Sequence, residues 1–336
     1  MKKFLSLITA FLAIMVSAQN IEILLNDKIS IRAIEIYDGK VWYAGTDSRF
    51  GYVDLKNPDN KKDMRLSEKN LQFRTLAQDR NYFYTINIES PGEFFQIRKL
   101  DWSVKTVYRD FDKNAFYDAL HYHNGMFYTF SDPNEDLWLK FLSFNVWKDG
   151  FYKREFREPK MNEGEAAFAA SNTNIATSRK YLWLATGGKV SRIFRMNLRT
   201  KTFEVFNTPF VQGTSSQGIY SIDFFKDKFG IAAGGDYTKQ NENINNLAVT
   251  YDSGKTWQIV ASGNNAGYTT CVKIRPGSRG KDIIAIGDQH VSLSTDFGKT
   301  WKVLSEEKGF YVGEWIDRDT MVLAGNGKIS SMKVFD

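Results

Sequence analysis

The chain alternates between short apolar segments and polar or glycine-containing corners along most of its length. This pattern is typical of buried strands separated by tight turns. An apolar segment that ends in a small or polar corner occurs seven times, at 41–45, 82–85, 126–132, 182–188, 230–236, 283–288 and 321–326. A second alternating segment precedes each of them, for example at 31–36, 73–76, 116–120, 220–224 and 268–274. No convincing amphipathic helix follows residue 18, so we predict an all-β protein.

One segment of the chain is repeated almost letter for letter. TYDSGKTW at 250–257 returns as STDFGKTW at 294–301, and the two aspartates, Asp252 and Asp296, lie 44 residues apart. A period of this length, with strand-like residues between the copies, is typical of the blades of a propeller. Together with the seven apolar segments, it predicts a single seven-bladed β-propeller of four-stranded antiparallel blades, spanning residues 19–336.

The repeated motif has the composition of a tight turn. An aspartate can accept backbone N–H bonds within the turn, and a glycine two residues later can adopt a positive φ without strain. The tryptophan that follows would bury a large apolar area between blades. The residues with these roles are Asp252, Gly254, Trp257, Asp296, Gly298 and Trp301. Because the motif occurs at two distant positions that no single active site could share, we interpret its aspartates as structural and not catalytic.

The chain also resembles a known family. The repeated motif resembles the Asp-box of BNR-repeat proteins, which forms the hairpin between the third and fourth strands of a blade. The segments at 31–34, 73–76, 131–133, 163–171, 186–188 and 234–237 resemble exported bacterial BNR/Asp-box propellers related to the photosystem II stability/assembly factor-like family. This resemblance implies seven blades and a non-enzymatic binding or assembly role. Many relatives are labelled oxidoreductase or glycosyl hydrolase, names without demonstrated chemistry. The first four blades lack a recognisable Asp-box, as at 198–203.

The N-terminus has the features of a secretory signal peptide at 1–18. Lys2 and Lys3 form a basic start, 4–16 is apolar, and 16–18 (VSA) is a small-residue cleavage site. The apolar run is too short to span a membrane, and no cysteine follows it for lipid attachment. We therefore expect an exported protein, periplasmic or secreted, with no membrane span. The alternative interpretation is a buried N-terminal strand.

Composition excludes some classes of protein. The 26 Phe, 16 Tyr and 8 Trp residues can fill a large core, and the single cysteine, Cys271, leaves no partner for a disulfide. The net charge of +6 is dispersed, with no run of five or more like charges, so no nucleic-acid-binding patch is indicated. We expect a monomer without cofactor or metal.

The ends of the chain predict how the ring closes. The last repeat has strands near 310–315, 321–324 and 328–335 and then stops, so its outer strand is missing. The apolar segment 21–25 has nothing else to pair with. We predict that it completes the last blade and removes both exposed edges.

Propeller topology predicts which polar residues can meet. The starts of inner strands and the ends of second strands share one face around the central channel. The candidates on this face are Arg32, Arg74, Asp118, Asp132, Glu165 and Asp236, beside an insertion at 237–246. Charges of both signs could hold a zwitterionic ligand or the charged tail of a protein partner. The alternative is that they bond to one another and fix neighbouring blades.

No catalytic signature accompanies these residues, so we predict a binding or assembly module of the bacterial envelope or exterior. The alternative is a carbohydrate-active enzyme or lectin with Glu165 as the acid and Asp118 or Asp132 as its partner, since glycoside hydrolysis uses two carboxylates. The Arg-Ile-Pro segment of sialidases is absent. His121 and His123 lie on one strand face but have no third ligand nearby in sequence. The glycine pairs at 187–188 and 234–235 lead into strands, unlike those of dinucleotide sites.

Overall fold

The structure is a computed structural model that describes residues 21–148, 150–156 and 158–336. The predicted signal peptide lies outside the described residues. Throughout the described part, regular structure consists of β-strands, as the alternating apolar pattern predicts. Within these residues, no helix is long and apolar enough to cross a membrane.

The first half of the described chain contains the strands β1 (Ile21–Tyr37), β2 (Lys40–Gly45), β3 (Arg49–Asp54), β4 (Lys61–Arg65), β5 (Ala77–Gln78), β6 (Tyr82–Ile86), β7 (Gly92–Arg98), β8 (Val104–Asp110), β9 (Tyr117–His123), β10 (Met126–Ser131), β11 (Lys140–Trp147), β12 (Gly150–Phe156), β13 (Glu165–Ala166) and β14 (Ile175–Thr177).

The second half contains the strands β15 (Tyr181–Ala185), β16 (Gly187–Gly188), β17 (Arg192–Asn197), β18 (Phe203–Asn207), β19 (Gln217–Phe225), β20 (Phe229–Asp236), β21 (Leu247–Thr250), β22 (Gln258–Ile259), β23 (Cys271–Ile274), β24 (Ile283–Gly287), β25 (His290–Ser294), β26 (Lys302–Ser305), β27 (Phe310–Trp315) and β28 (Thr320–Lys333).

The described strands form six antiparallel sheets, so the predicted number of seven blades is wrong. Four sheets have four strands, in the orders β5-β6-β7-β8, β12-β11-β10-β9, β14-β15-β17-β18 and β23-β24-β25-β26. Two have six strands, β27-β28-β1-β2-β3-β4 and β13-β16-β19-β20-β21-β22. All seven apolar segments do form strands, but the first and the last of them, β2 and β28, belong to the same sheet. The sequence count therefore exceeds the number of sheets by one.

The number of sheets is lower than predicted because the first strand, β1, is long and pairs with two partners. The start of β1 pairs with β28, with Ile21 opposite Met332 and Asn26 opposite Lys328. After a register shift between Asn26 and Ser30, the same strand continues and pairs with β2, with Ile31 opposite Gly45. One strand thus joins the two ends of the chain, and the predicted pairing of 21–25 with the end of the chain is confirmed.

The core lies between neighbouring sheets and not within any one of them. Trp42 and Phe50 of the first sheet meet Phe83 of the next, with the Trp42 and Phe83 ring centroids 4.6 Å apart. Tyr84 then meets Phe127 at 4.2 Å across the following interface. Fully buried aromatic rings carry large apolar area, so these contacts hold adjacent sheets together without a disulfide. Cys271 is buried and free.

The two copies of the repeated motif form equivalent turns between the last two strands of their sheets, β21–β22 and β25–β26. Asp252 accepts hydrogen bonds from the backbone and hydroxyl of Thr256 at 2.9 and 2.7 Å, and Asp296 does the same with Thr300 at 2.9 and 2.7 Å. Gly254 has a φ of +80°. Although burial acts in the opposite direction, the hydrogen bonds from Thr256 lower the pKa of Asp252. Both carboxylates are thus engaged inside their own turns.

Each turn is anchored by its tryptophan. The indole N–H of Trp257 donates to the carbonyl of Gly254 at 3.0 Å, and Trp301 donates to Gly298 at 2.9 Å. Trp257 is buried against Phe224, while Trp301 is partly buried. The indole ring therefore fixes the conformation of the turn through its hydrogen bond and packs the turn against neighbouring strands.

We predict that closure by β1 contributes strongly to stability. Leu25 is 5% exposed and belongs to the core shared with β28, whereas Ile23 on the same strand is 56% exposed. Leu25→Ala should lower the free energy of unfolding by about 2–5 kcal/mol, because it leaves a cavity. Ile23→Ala, the matched control, should change it by less than about 1 kcal/mol. Equal effects in urea unfolding would contradict a closing role for this strand.

Candidate functional site

A cavity of about 380 Å³ opens at the mouth of the central channel. Its wall brings together inner-strand residues that are far apart in the chain, because every inner strand faces the same axis. The lining includes Arg32, Arg74, Phe168, Tyr220, Gln240, Tyr268, Asp288 and Tyr311. Two of the six residues predicted from sequence, Arg32 and Arg74, line this cavity.

The two arginines are held by backbone carbonyls and not by carboxylates. Arg32 donates to the carbonyl of Ala170 at 3.0 Å, and its guanidinium lies 4.1 Å from the ring centroid of Tyr311. Arg74 donates to the carbonyl of Ala169 at 3.4 Å. Burial, and then the neighbouring Arg32, lower the pKa of Arg74. Within the described residues neither guanidinium forms an ion pair, although the carboxyl group of Asp288 lines the same cavity.

The opposite wall is aromatic. The rings of Phe168 and Tyr220 stack with centroids 4.0 Å apart, and Tyr268 meets Tyr220 edge to face at 4.9 Å. The Tyr220 hydroxyl donates to the carbonyl of Ser216 at 2.7 Å, which fixes the ring. Beside this wall, the side-chain oxygen of Gln240 is buried without a hydrogen-bond partner in the described structure. The cavity therefore offers cations, aromatic surface and an unused hydrogen-bonding group.

The floor of the cavity is the segment 169–173, which we call the hub. Its carbonyls receive Arg32 and Arg74, and its side chains bond to further inner strands. Ser171 donates to the carbonyl of Thr270 at 2.5 Å, and Thr173 lies 2.7 Å from the hydroxyl of Ser221. The hub thus connects strands from several sheets at the axis, where a propeller otherwise leaves a channel.

Asn172 is the centre of the hub. Its side-chain amide donates to the carbonyl of Leu76 at 2.7 Å and accepts from the backbone N–H of Leu120 at 2.7 Å. The residue has a φ of +62°, which asparagine tolerates better than most residues. One side chain therefore satisfies a donor and an acceptor on two different sheets.

A second cavity, of about 320 Å³, lies on the other side of the hub. Ser171, Asn172 and Thr173 line it, whereas Ala169 and Ala170 line the first cavity. The hub therefore separates the two ends of the channel. The far end holds an ion pair between Lys273 and Glu314 at 2.5 Å.

Two further carboxyl groups lie near this ion pair. Burial raises the pKa of Glu35 to about 7, although a hydrogen bond from Gln78 at 2.8 Å opposes the shift. Burial likewise raises the pKa of Asp223 to about 6, and the attraction of Lys273 opposes it. The two ends of the channel therefore differ in character: unpaired arginines at one, and carboxyl groups around one lysine at the other.

Asp118 and Asp132 lie close to the first cavity but do not line it. Asp118 is fully buried, and neither of its carboxyl oxygens has a hydrogen-bond partner in the described structure. Burial, and then the neighbouring carboxyl of Asp132, raise the pKa of Asp118 well above its usual range. Asp132 accepts the backbone N–H of Ala167 at 3.2 Å, and burial raises its pKa. The carboxyl of Asp132 therefore supports the loop that leads into the hub.

Glu165 and Asp236 lie outside the cavity, where internal bonds occupy them. Glu165 is buried and forms an ion pair with Arg192 at 2.6 Å, and it also accepts the hydroxyl of Thr186 at 2.5 Å. Asp236 accepts the backbone and hydroxyl of Thr238 at 2.9 and 2.7 Å. These bonds lower the pKa of Asp236 although burial acts against them. Glu165 of β13 thus links its sheet to β17 of another sheet, whereas Asp236 caps its own turn.

The two strand histidines bond to protein groups. His121 Nε2 lies 2.8 Å from the hydroxyl of Thr177, and the same hydroxyl lies 3.1 Å from His123 Nδ1. Burial lowers the pKa of His121 to about 3. Across the described ranges, no group of three or more His, Cys, Asp or Glu side chains lies where it could hold a metal ion.

Sequence reasoning missed most of the cavity wall. Phe168, Tyr220, Tyr268 and Tyr311 precede or begin the inner strands, where they read as ordinary core positions. Their grouping in one cavity became visible only once the arrangement of the inner strands was known.

Solved structures with a similar fold are known, although no similar curated sequence was found. No protein-family model matches the chain, and no curated protein sequence matches it. The solved structure "YCF48 bound to D1 peptide" is 13% identical with a TM-score of 0.68, covering 95% of this chain and 96% of that one. U3-55K is 13% identical with a TM-score of 0.66, covering 94% and 99%. The Pan2 WD40 domain of Neurospora crassa is 11% identical with a TM-score of 0.63, covering 91% and 90%. At such identities the likeness shows a β-propeller fold.

We predict that the side chain of Asn172 stabilises the whole ring. Asn172→Gly keeps the backbone conformation but removes the bonds to Leu76 and Leu120, and should lower the free energy of unfolding by about 1–3 kcal/mol. Asn124→Gly is the matched control, because Asn124 also has a positive φ, of 49°, but lies exposed in a hairpin. If urea unfolding gave the same change for both variants, the hub would not hold the sheets together.

We also predict a pH-dependent contribution from Glu35. Because its pKa is raised from 4.5 to about 7, the folded chain binds this proton more tightly than the unfolded chain. Its stabilising contribution is therefore complete below pH 4.5 and is lost as the pH rises through about 7. Glu35→Gln, which keeps an oxygen for Gln78, should be more stable than wild type at alkaline pH and equal to it at acidic pH.

The measurement is urea unfolding of both proteins across this pH range. Glu22→Gln, exposed on the same strand β1, controls for the change of residue type. A stability difference between wild type and Glu35→Gln that did not vary with pH would contradict the raised pKa.

Proposed function

We propose that this protein is a non-catalytic binding or assembly module of the bacterial envelope or exterior. In this proposal it holds an anionic group of a protein partner at the mouth of the central channel. The observation that carries the proposal is the pair Arg32 and Arg74, whose guanidinium groups share one cavity and form no ion pair in the described structure.

The energetics favour an anionic ligand. The lining residues carry two guanidinium groups and one carboxyl group, that of Asp288. Burial, and then the neighbouring Arg32, lower the pKa of Arg74, so a further opposite charge in this cavity would be favourable. A carboxylate between the two guanidinium groups would relieve the repulsion and accept charge-assisted hydrogen bonds. The aromatic wall of Tyr220 and Tyr268 would contact the apolar part of the same ligand.

A peptide matches this combination of groups. It offers carboxylates to the arginines, a backbone N–H or C=O to the amide of Gln240, and side chains to the aromatic wall. The similar structure of YCF48 carries a bound D1 peptide, which supports a peptide ligand here by analogy of fold. The predicted signal peptide and the resemblance to exported BNR/Asp-box propellers support a location in the envelope or outside the cell.

The carbohydrate-active alternative has lost its best candidate acid. Both carboxylate oxygens of Glu165 accept hydrogen bonds from Arg192, and Thr186 adds another, so the group has no free face toward a substrate. Asp118 is fully buried and does not line the cavity. No observation in the described structure favours hydrolysis over binding.

The test measures binding of a peptide array, in which each acidic sequence is present with a free and with an amidated C-terminus. We expect acidic peptides to bind wild type, and Arg32→Met or Arg74→Met to weaken binding by about tenfold or more, because each change removes a charged hydrogen bond but keeps the apolar stem. Arg199→Met, an exposed arginine in the β17–β18 hairpin, is the control. Equal binding by all three variants would exclude the channel mouth.

A further inference from the structure

A groove of about 660 Å³ lies on the opposite face of the ring from the channel-mouth cavity. It is formed by the hairpins β1–β2, β5–β6 and β7–β8, so it runs across the boundary between two neighbouring sheets. We call it the basic groove and define it by its lining residues Tyr37, Lys40, Arg80, Arg98, Lys99 and Trp102. Nothing in the proposed function uses it.

Lysines cover the aromatic rings of this groove. The ammonium of Lys99 lies 3.8 Å from the ring centroid of Tyr37, and that of Lys62 lies 4.7 Å from the ring of Trp102. Lys40 lies 5.6 Å from the ring of Tyr52. Each contact is a cation–π interaction, which orders the lysine over the ring.

The groove carries more positive charge than its own carboxylates neutralise. Lys40 pairs with Asp38 at 3.1 Å, and Arg98 with Asp101 at 3.2 Å, but both carboxylates are exposed. Lys62 does not line the groove but lies beside it, over the ring of Trp102. In the described ranges, Lys62, Arg80 and Lys99 form no ion pair. The Lys99 ammonium is fixed instead by the side-chain oxygen of Gln78 at 2.6 Å and the carbonyl of Asp79 at 2.7 Å.

The aromatic groups beneath these cations are rigid. Trp42 donates its indole N–H to the carbonyl of Tyr37 at 3.1 Å and packs on Trp102, with centroids 5.2 Å apart. Leu100, at the tip of the adjacent hairpin, is 80% exposed. Rigid Trp and Tyr rings with neighbouring arginine are the composition of protein interaction hot spots.

We propose that the basic groove binds an acidic, extended segment of a partner protein. Carboxylates of the segment contact Lys62, Arg80 and Lys99, and an apolar side chain covers Leu100. The charge of the groove selects an anionic partner. This site is separate from the channel mouth, and neither depends on the other.

The ring contacts favour a peptide over an anionic saccharide. A sugar ring stacks on a bare aromatic face, but here the faces of Tyr37, Tyr52 and Trp102 already carry ammonium groups. An anionic side chain can bind these ammonium groups without moving them from the rings. A saccharide would have to displace them and give up the cation–π contacts.

The test uses a fluorescein-labelled peptide with several glutamates around one leucine, and a counterpart in which glutamine replaces every glutamate. Fluorescence anisotropy should show binding of the first peptide, weakened by added salt, and much weaker binding of the second. Arg80→Gln combined with Lys62→Gln should weaken binding of the acidic peptide by about fivefold or more. Each single variant is measured as well, and all must melt like wild type.

Two controls locate the site. Lys255→Gln removes an exposed charge from a motif turn on the same face but another sheet, and should bind like wild type. Arg74→Met removes the channel-mouth charge and should also leave this binding unchanged. Equal loss in Lys255→Gln would indicate attraction by overall charge, and loss in Arg74→Met alone would place the peptide at the channel mouth. Either result would overturn the proposal, as would stronger competition by an oligouronate than by unlabelled peptide.

Discussion

The ring depends on the hydrogen bonds of one short segment at its axis, the hub at 169–173. In a propeller the sheets contact only their neighbours, so closure normally rests on the strand that joins the ends. Here Asn172 bonds to Leu76 and Leu120 at 2.7 Å each, and Ser171 reaches Thr270. The hub thereby connects inner strands of several sheets at the axis, which adds an axial restraint to the peripheral closure by β1.

The hub also decides where ligands can bind. Ala169 and Ala170 of the hub line the cavity at the channel mouth, whereas Ser171, Asn172 and Thr173 line the cavity on the other side. The hub therefore separates two cavities with different charged groups. One end has two arginines that form no ion pair in the described structure, and the other has the Lys273–Glu314 ion pair with Glu35 nearby. A ligand at the mouth therefore meets cations without meeting the carboxyl groups beyond the hub.

Much of this fold could be predicted from the sequence because it rests on local chemistry. The motif at 250–257 has turn residues at fixed spacing, and residues 21–25 have one free edge to pair with. The number of sheets could not be predicted, because a repeat count assumes that each repeat forms its own sheet. Strand β1 pairs first with β28 and then with β2, with a register shift between Asn26 and Ser30. The residue types in this segment do not predict that shift.

The candidate site was predictable only in part, for a related reason. Topology places a residue on a face but does not show its partners. Arg32 and Arg74 lie where the inner strands begin, and carbonyls of the hub receive them. Glu165 begins a comparable strand, yet Arg192 of β17 takes both its oxygens. In the sequence, all three residues are charged groups near the start of a strand. Whether such a group is already paired depends on the residues of the neighbouring strand, which the sequence does not show.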